Sequence, residues 1–257
     1  MKSMFDLTGQ VVLVTGAAQG LGLAIANACA GQGASLVVAD RNPDGLNEIG
    51  ERLRSQETDV LPLLCDVSNA DQLIALVEKA WAWKGRIDTL VSNAGIQGPA
   101  GPLDAIKDED WDRVLETNLH GAQRLCAVLA PRMAMQGGGS IVLMSSIAAL
   151  RGNRSIGLYA ISKAALSQLA RNLAVEWGPK NIRVNSIAPG LIRTPLANSM
   201  LADNAFMQRR LQSTPLRRVG EPYEIAGPVV LLASRAGGFI NGHTLVVDGG
   251  TLISDGS

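Results

Sequence analysis

The stretch VVLVTGAAQGLGLAIANACA, residues 11–30, decides the fold that we expect for this chain. It runs from a short apolar segment through a glycine-rich turn into a helical segment. The apolar segment does not alternate with polar residues, which is typical of a strand covered on both faces. The glycines permit a tight turn and let backbone amides approach a phosphate at the positive end of the helix. The same glycines also suit an ordinary turn, so this stretch alone leaves both interpretations open.

The order of strand and then helix repeats along the whole chain. Apolar runs rich in Val, Ile and Leu occupy residues 11–14, 36–39, 60–64, 87–91, 141–144, 182–187 and 244–247. Helical stretches lie between them at about 20–31, 44–54, 69–84, 108–136, 159–178 and 222–234. This order predicts a Rossmann-like, doubly wound α/β fold with a seven-stranded parallel sheet and helices on both faces. We expect a single domain over 1–257, with a helical insertion at about 194–214.

Polar residues and glycines follow six of the apolar runs. In chain order they are Gly16, Asp40, Asp66, Asn93, Ser145 with Ser146, and Pro189 with Gly190. The carboxyl ends of parallel strands share one edge of a sheet, and doubly wound folds bind their ligands there. The sequence therefore predicts a ligand site at this edge.

Asp40 indicates which ligand to expect. It follows Gly16 by a little over 20 residues, where a carboxylate can accept hydrogen bonds from both ribose hydroxyls of an adenosine. Its other interpretation is the start of the polar loop DRNPDG. A 2′-phosphate would be repelled by this carboxylate, and the glycine turn offers no compensating cation. Arg41 is the one complication, since it could swing towards such a phosphate. The joint pattern predicts NAD as the cofactor.

A second stretch, SIVLMSSIAALRGNRSIGLYAISK at 140–163, carries candidate chemistry. Tyr159 and Lys163 stand one helical turn apart, so an ammonium can act on the phenol. Lowering a phenol pKa from about 10 to about 7 requires about 4 kcal/mol. One cation about 4 Å away supplies this at an effective dielectric of about 20. Tyr159 is therefore a candidate proton donor or acceptor, with Ser146 offering a hydroxyl; the spacing also occurs by chance in amphipathic helices.

Together these motifs resemble the short-chain dehydrogenases/reductases, specifically the single-domain branch. The likeness rests on TGxxxGxG at 15–22, on Tyr159 and Lys163, and on Ser146 thirteen residues before the tyrosine. Further matches are Asp66-Val67, Asn93-Ala94-Gly95, Asn118, Pro189-Gly190 with Thr194, and Asp248-Gly249-Gly250. One departure is Ser92, where the family commonly has asparagine.

The resemblance implies a role for each matched residue near the reacting centre. Tyr159 is expected to be the general acid/base, and Lys163 to depress its pKa and hold the nicotinamide ribose. Ser146, rather than Ser145, is expected to polarise the carbonyl. Asn118 is expected to position a water that links Lys163 to solvent.

The resemblance also implies which residues contact the cofactor. Asp66 and Val67 would border the adenine, and Ile192 and Thr194 would meet the carboxamide. The full implied set is Gly16, Gln19, Gly20, Leu21, Gly22, Asp40, Arg41, Asp66, Val67, Asn93, Ala94, Gly95, Tyr159, Lys163, Pro189, Gly190, Ile192 and Thr194. A homotetramer is implied as well, built partly on helices 108–136 and 159–178, whose apolar residues exceed one stripe; examples are Trp111, Val114, Leu115, Leu125, Val128 and Leu129.

Composition argues against several other classes of protein. The 23 basic and 23 acidic residues balance, so no footprint for nucleic acid or an anionic membrane is expected. No apolar segment is long enough for a membrane span, and the N-terminal residues lack the apolar core of a signal peptide. We therefore expect a cytoplasmic protein. Cys29, Cys65 and Cys126 lack metal or disulfide spacing and are expected to be buried thiols. His120 and His243 have no companions at metal-ligand spacing, so no metal site is expected.

Our leading hypothesis is an NAD(H)-dependent oxidoreductase that interconverts a secondary alcohol and a ketone. One alternative is an NADPH-dependent 3-oxoacyl thioester reductase; another is a non-catalytic nucleotide-binding regulatory protein. We expect substrate specificity to reside in residues 96–100, 148–158 and 194–214. The arginines at 209, 210, 217 and 218 are expected to be solvated or paired, with an anionic substrate group near Arg154 or Arg209 as the less favoured option.

Overall fold

The computed structural model describes residues 3–254 and contains one seven-stranded parallel sheet. The strands are β1 Val11–Thr15, β2 Ser35–Asp40, β3 Val60–Leu64, β4 Thr89–Ser92, β5 Gly139–Met144, β6 Ile182–Pro189 and β7 Thr244–Val247. Their order across the sheet is β3-β2-β1-β4-β5-β6-β7. The predicted Rossmann-like fold is confirmed. Residues 1–2 and 255–257 of the predicted domain lie outside the described residues.

Helices cover both faces of the sheet. They are α1 Gly20–Gly31, α2 Pro43–Ser55, α3 Ala70–Lys84, α4 Asp108–Leu115, α5 Gly121–Met135, α6 Gly157–Trp177, α7 Asn198–Leu201, α8 Asn204–Gln212 and α9 Pro222–Ala233. One apolar core joins the sheet to α3, α5 and α6, and the other joins it to α1, α2 and α9. Along β1, Leu13 enters the first core while Val12 and Val14 enter the second. Burial on both faces explains why the apolar runs do not alternate.

The predicted helix at 108–136 is interrupted in the structure. A π-helical turn, Glu116–His120, separates α4 from α5, and the Gly121 amide donates to the Glu116 carbonyl. The side chain of Asn118 lies in this turn and is hydrogen-bonded to other parts of the chain. The insertion is helical, as predicted, and consists of a 3₁₀ turn Pro195–Ala197 followed by α7 and α8.

The sheet order places the ligand edge in the middle of the molecule. β1 pairs with β2 on one side and with β4 on the other. The order in which the chain adds strands to the sheet therefore reverses between β1 and β4. This reversal opens a crevice at the carboxyl ends of the two strands. Gly16 lies in this crevice against Ala94, so close that a Cβ on Gly16 would stand 2.9 Å from the Ala94 Cα.

Candidate active site

A cavity of about 490 Å³ lies along the carboxyl edge of the sheet. It is lined by every residue of the expected catalytic and cofactor sets except Gly22 and Asn118. Residues from six strand ends thus meet in one place, as the sequence predicted. Gly22 and Asn118 lie just behind the lining and shape it from there.

The glycine turn forms one wall and requires glycine at particular positions. Gly16 and Gly20 have φ angles of +65° and +56°, which favour glycine. A Cβ on Gly22 would lie 2.0 Å from the Gly16 carbonyl oxygen, so a side chain there cannot fit without a shift of the turn. No side chain caps the first turn of α1. These amides and the close-packed turn fit a pyrophosphate on the helix N-terminus.

Asn93 and Thr15 tie this turn to the neighbouring strand. The Asn93 amide group donates to the carbonyl oxygens of Thr15 (3.0 Å) and Gly16 (3.1 Å). In return, the Thr15 hydroxyl accepts from the backbone amides of Asn93 (3.1 Å) and Ala94 (3.2 Å). The expected supporting role of Asn93 therefore has a geometric basis.

Two carboxylates lie at the β2 and β3 side of the cavity. Asp40 accepts from the Ala18 amide at 3.0 Å and from the Asn42 amide at 2.9 Å, which fixes its carboxylate beside the glycine turn. Burial tends to raise the pKa of Asp66, but hydrogen bonds from Ser68 and the nearby charge of Arg41 outweigh it and lower this pKa. This end of the cavity suits the hydroxyls of an adenosine.

The candidate acid/base pair lies between β5 and α6. Ser146 follows β5 and its hydroxyl accepts from the Ala148 amide at 3.1 Å. Tyr159 and Lys163 lie in the first two turns of α6, and the Ser146 hydroxyl lies near enough to the Tyr159 phenol to lower its pKa. The Ser145 hydroxyl instead contacts the Lys163 carbonyl oxygen at 2.8 Å and the Ser167 hydroxyl at 2.9 Å. Ser146 is therefore the serine hydroxyl next to the phenol.

The electrostatics of this pair depend mainly on burial. Burial raises the pKa of the Tyr159 phenol, and the nearby Ser146 hydroxyl lowers it by less. The Lys163 ammonium donates to the Met144 carbonyl oxygen at 2.8 Å and lies 5.6 Å from the centre of the Tyr159 ring. Burial is therefore the larger influence on the Tyr159 pKa, and the expectation that Lys163 depresses this pKa stays a prediction. Burial lowers the pKa of Lys163 itself to about 8.

Asn118 supports the site from behind the cavity wall. Its oxygen accepts from the Ile96 amide at 2.8 Å, and its nitrogen donates to the Ile96 carbonyl oxygen at 2.8 Å and the Ser162 hydroxyl at 3.0 Å. Both of its N–H donors are thus occupied. A Cβ on Gly95 would lie 3.1 Å from both the Asn118 oxygen and the Lys163 nitrogen. Asn118 is therefore a positioning residue, and its expected role with a water stays a prediction.

The opposite wall comes from the segment after β6. Gly190 packs on Asp248, since a Cβ on Gly190 would lie 2.7 Å from the Asp248 Cα. Ile192 is buried, and Thr194 lies against the glycine turn, 3.5 Å from the position of a Gly20 Cβ. At the far end of the insertion, the Leu216 amide donates to the Gly249 carbonyl oxygen at 3.1 Å. The insertion is thus anchored at both ends beside the cavity.

Two arginines line the cavity that the sequence interpretation did not select. They are Arg151, which is exposed, and Arg210, which is half-buried; Arg154 and Arg209 are exposed and do not line the cavity. The Nε of Arg210 is buried without a hydrogen-bond partner in residues 3–254. A usable signal existed: Arg210 follows Phe206 and Met207 by four and three residues, which places it on the apolar face of α8.

Other expectations concern residues away from the cavity. The three cysteines are free and buried, and burial raises their pKa values to about 12 for Cys29 and Cys126 and about 11 for Cys65. His120 contacts Glu116 at 2.6 Å. Within residues 3–254, no group of three or more His, Cys, Asp or Glu could hold a metal ion. Over the same residues, the helices are too short or too polar to cross a bilayer.

Comparisons with known proteins agree with this geometry. A family model described as enoyl-(acyl carrier protein) reductase matches residues 16–251. Dehydrogenase/reductase SDR family member 4 of Bos taurus is 38% identical over 246 residues, which cover 96% of this chain and 88% of that protein.

Two solved structures are similar over nearly their whole length. One is a 7α-hydroxysteroid dehydrogenase complexed with NADH and 7-oxoglycochenodeoxycholic acid, with 39% identity, a TM-score of 0.91 and coverage of 96% of this chain and 95% of that one. The other is a gluconate 5-dehydrogenase from Burkholderia cenocepacia J2315 in complex with NADP and tartrate, with 34% identity, a TM-score of 0.94 and coverage of 98% of each chain. With the motifs, the fold and these matches in agreement, the chain belongs to the short-chain dehydrogenase/reductase family of oxidoreductases.

Proposed function

We propose that this protein is an NAD(H)-dependent oxidoreductase that interconverts a secondary alcohol and a ketone. The observation that carries the proposal is that Ser146, Tyr159 and Lys163 line the same cavity as the glycine turn and Asp40. A carbonyl oxygen placed against both hydroxyls would receive a hydrogen bond from Ser146 and a proton from Tyr159. The small-molecule substrate would enter from the side of the insertion.

Each side chain near the reacting centre has a separate task in this proposal. A bound nicotinamide would supply or accept the hydride. Because burial raises its pKa, the Tyr159 phenol holds its proton at neutral pH and can donate it during ketone reduction. Alcohol oxidation is the reverse step: it starts from the deprotonated phenol, whose oxygen accepts the proton of the alcohol while the hydride leaves the carbon. Lys163, buried and held by Met144, presents a cation under the site for the nicotinamide ribose.

The choice of NAD over NADP rests on Asp40. Its carboxylate is fixed by two backbone amides, so it can accept from the 2′ and 3′ hydroxyls but would repel a 2′-phosphate. The two similar structures divide on this point, since one was solved with NADH and the other with NADP. Our choice of NAD therefore rests on the negative charge of Asp40 in this chain.

The alternatives make different demands on the same cavity. A 3-oxoacyl thioester reductase would use NADPH, against the charge of Asp40. A non-catalytic nucleotide-binding protein has no need of the Ser146 and Tyr159 hydroxyls in one cavity or of a lysine buried beneath it. Both features favour an enzyme.

A substrate screen tests the proposed reaction. Polyols, sugars, hydroxysteroids and 3-hydroxyacyl thioesters would each be incubated with NAD, and NADH formation would be followed by absorbance. Turnover of a secondary alcohol supports the proposal. Reduction of 3-oxoacyl thioesters with NADPH alone would support the thioester reductase instead. Tight NADH binding with no turnover of any alcohol or ketone would favour the non-catalytic alternative.

We also propose a homotetramer in the cytoplasm. Three of the residues first counted as surplus, Val114, Leu125 and Leu129, are buried within one chain and do not argue for a partner. Other apolar side chains support assembly: Val175 on α6 is 80% exposed and Ile74 on α3 is 50% exposed. Light scattering should give four times the 27.0 kDa of one chain, and a value near 27.0 kDa at micromolar concentration would contradict the tetramer. The buried free thiols suit a reducing compartment.

A further inference from the structure

A pair of cations, Arg151 and Arg210, lies at one end of the cavity and has no part in the chemistry described above. We propose that Arg210, assisted by Arg151, binds a carboxylate on the substrate, so that the enzyme acts on hydroxy acids and keto acids. This inference rests on the proposed function and adds the class of substrate to it.

Arg210 is unusual among the arginines of the described chain because its buried nitrogen lacks a partner. It lies on α8, half-buried, and its Nε has no hydrogen bond to any described residue. Neighbouring arginines are engaged: Arg218 pairs with Glu224 at 2.6 Å, and Arg217 donates to carbonyl oxygens at the end of α8. Nε itself is closed to the cavity, so a ligand there would meet the outer part of the guanidinium, which lines the cavity and forms no ion pair with a described residue.

The charge around Arg210 favours a monoanion. Arg151 lies near enough to lower the pKa of Arg210 electrostatically, after the larger effect of burial, while Asp248 acts in the opposite direction. The Asp248 oxygens already accept from the Gly250 amide at 2.8 Å and the Leu252 amide at 2.6 Å, and Asp248 forms no ion pair with Arg210. Two guanidinium groups and one carboxylate leave one excess positive charge. A carboxylate neutralises this charge, whereas a phosphate dianion would exceed it.

The strands next to which the two arginines lie assign these arginines to the substrate rather than to the cofactor. Arg151 follows β5, and Asp248, near Arg210, follows β7. The glycine turn follows β1, which stands four strands from β7, or about 19 Å at the usual strand spacing. Asp40 and Asp66 follow β2 and β3, further still in the same direction. The cavity is thus acidic where an adenosine would lie and cationic at its other end.

The remaining walls near this end describe the rest of the substrate. They are formed mainly by the apolar side chains of Ile147, Ile156, Leu191, Leu196 and Met200. An apolar body would pack against these walls while its carboxylate reaches the arginines. The same contacts would align the carbon that bears the hydroxyl with Tyr159.

A series of matched substrates tests the proposal. The probes are 3-hydroxybutanoate, 5-hydroxyhexanoate and 7-hydroxyoctanoate, each compared with its methyl ester, which keeps the secondary alcohol and removes the charge. The ratio of kcat/KM for acid over ester should be at least about tenfold for the best chain length, since hydrogen bonds to charged groups contribute that much. Arg210→Gln should reduce the ratio towards one. Arg209→Gln, on the same helix but outside the cavity, is the matched control and should keep the wild-type ratio.

Each outcome decides the question. A wild-type ratio near one at every length, or a high ratio that survives in Arg210→Gln, overturns the carboxylate site even if the esters are oxidised. If neither acids nor esters react, the proposed function fails for this series, and calorimetry then tests the site alone. Binding of hexanoate but not hexanamide, lost in Arg210→Gln, supports the site; equal heats for the two compounds overturn it.

Discussion

Replacing Asp40 by alanine should change which dinucleotide this protein prefers. The Asp40 carboxylate is held on both oxygens, by the Ala18 amide at 3.0 Å and the Asn42 amide at 2.9 Å. It therefore cannot turn away from a group bound at the end of β2. A ribose hydroxyl can donate to it, but a phosphate can only repel it.

The size of the effect follows from the charges. A 2′-phosphate carries about two negative charges. At about 4 Å, each repels a carboxylate by about 1 kcal/mol in water and about 4 kcal/mol at an effective dielectric of 20. The total repulsion is about 2 to 8 kcal/mol. Arg41 offsets only a part of this repulsion, because its charge also interacts with Asp66. A tenfold preference for NAD, about 1.4 kcal/mol, is thus a lower bound.

The assay compares kcat/KM for NAD and NADP with one alcohol, together with the affinities for NADH and NADPH from fluorescence titration. Wild type should prefer NAD at least tenfold, and Asp40→Ala should erode or reverse this preference because Arg41 then acts unopposed. Asp44→Ala removes an exposed carboxylate from the first turn of α2 and should leave the preference intact. Equal efficiency with both cofactors in wild type, or an unchanged preference in Asp40→Ala, would refute the reasoning.

Two further variants probe the buried lysine and the glycine turn. Lys163→Met should abolish turnover yet stabilise the fold at pH 7. The Lys163 pKa of about 8 lies below its usual 10.5, so burying the ammonium costs about 3 kcal/mol. The gain in stability should be smaller than this cost, because the variant also loses the hydrogen bond to Met144. The gain should shrink as pH rises from about 8 to about 10.5 in urea unfolding; a gain that grows with pH would contradict this. Gly22→Ala should destabilise the fold by about 1–3 kcal/mol and weaken NADH binding, because the added Cβ would overlap the Gly16 carbonyl. Gly31→Ala serves as the control, since a Cβ there meets no atom within 4 Å. Equal melting temperatures for these two glycine variants would show that the turn tolerates a side chain.

Much of the fold could be predicted because local pattern and architecture agree. Apolar runs without alternation indicated a doubly covered sheet, and polar residues or glycines after six of the seven runs indicated the ligand edge. The π-helical turn at Glu116–His120 was not predictable, because its local sequence suits an ordinary helix. It depends on hydrogen bonds from Asn118 to Ile96 and Ser162, which are distant in sequence.

The candidate site divides in the same way. Motif spacing identified Tyr159 and Lys163, since one helical turn fixes their relation. The effect of burial on the Tyr159 pKa could not be predicted, because it depends on how the chain folds around the phenol. The hydrogen bond from the Lys163 ammonium to the Met144 carbonyl oxygen likewise depends on the fold. The place of Arg210 in the cavity lining was not predicted, because it depends on how the insertion folds over the sheet. Only the helical phase of α8 indicates it.

The most direct test of the proposed chemistry is the turnover of Tyr159→Phe. The substitution removes the transferable proton and little of the binding surface. We expect kcat to fall by at least about a hundredfold, since general acid/base groups contribute about 10²–10⁴-fold. NADH affinity, measured by fluorescence titration of the same preparation, should stay within a few-fold of wild type and show that the variant is folded. A kcat above about a tenth of the wild-type value would contradict the role of Tyr159 as the general acid/base.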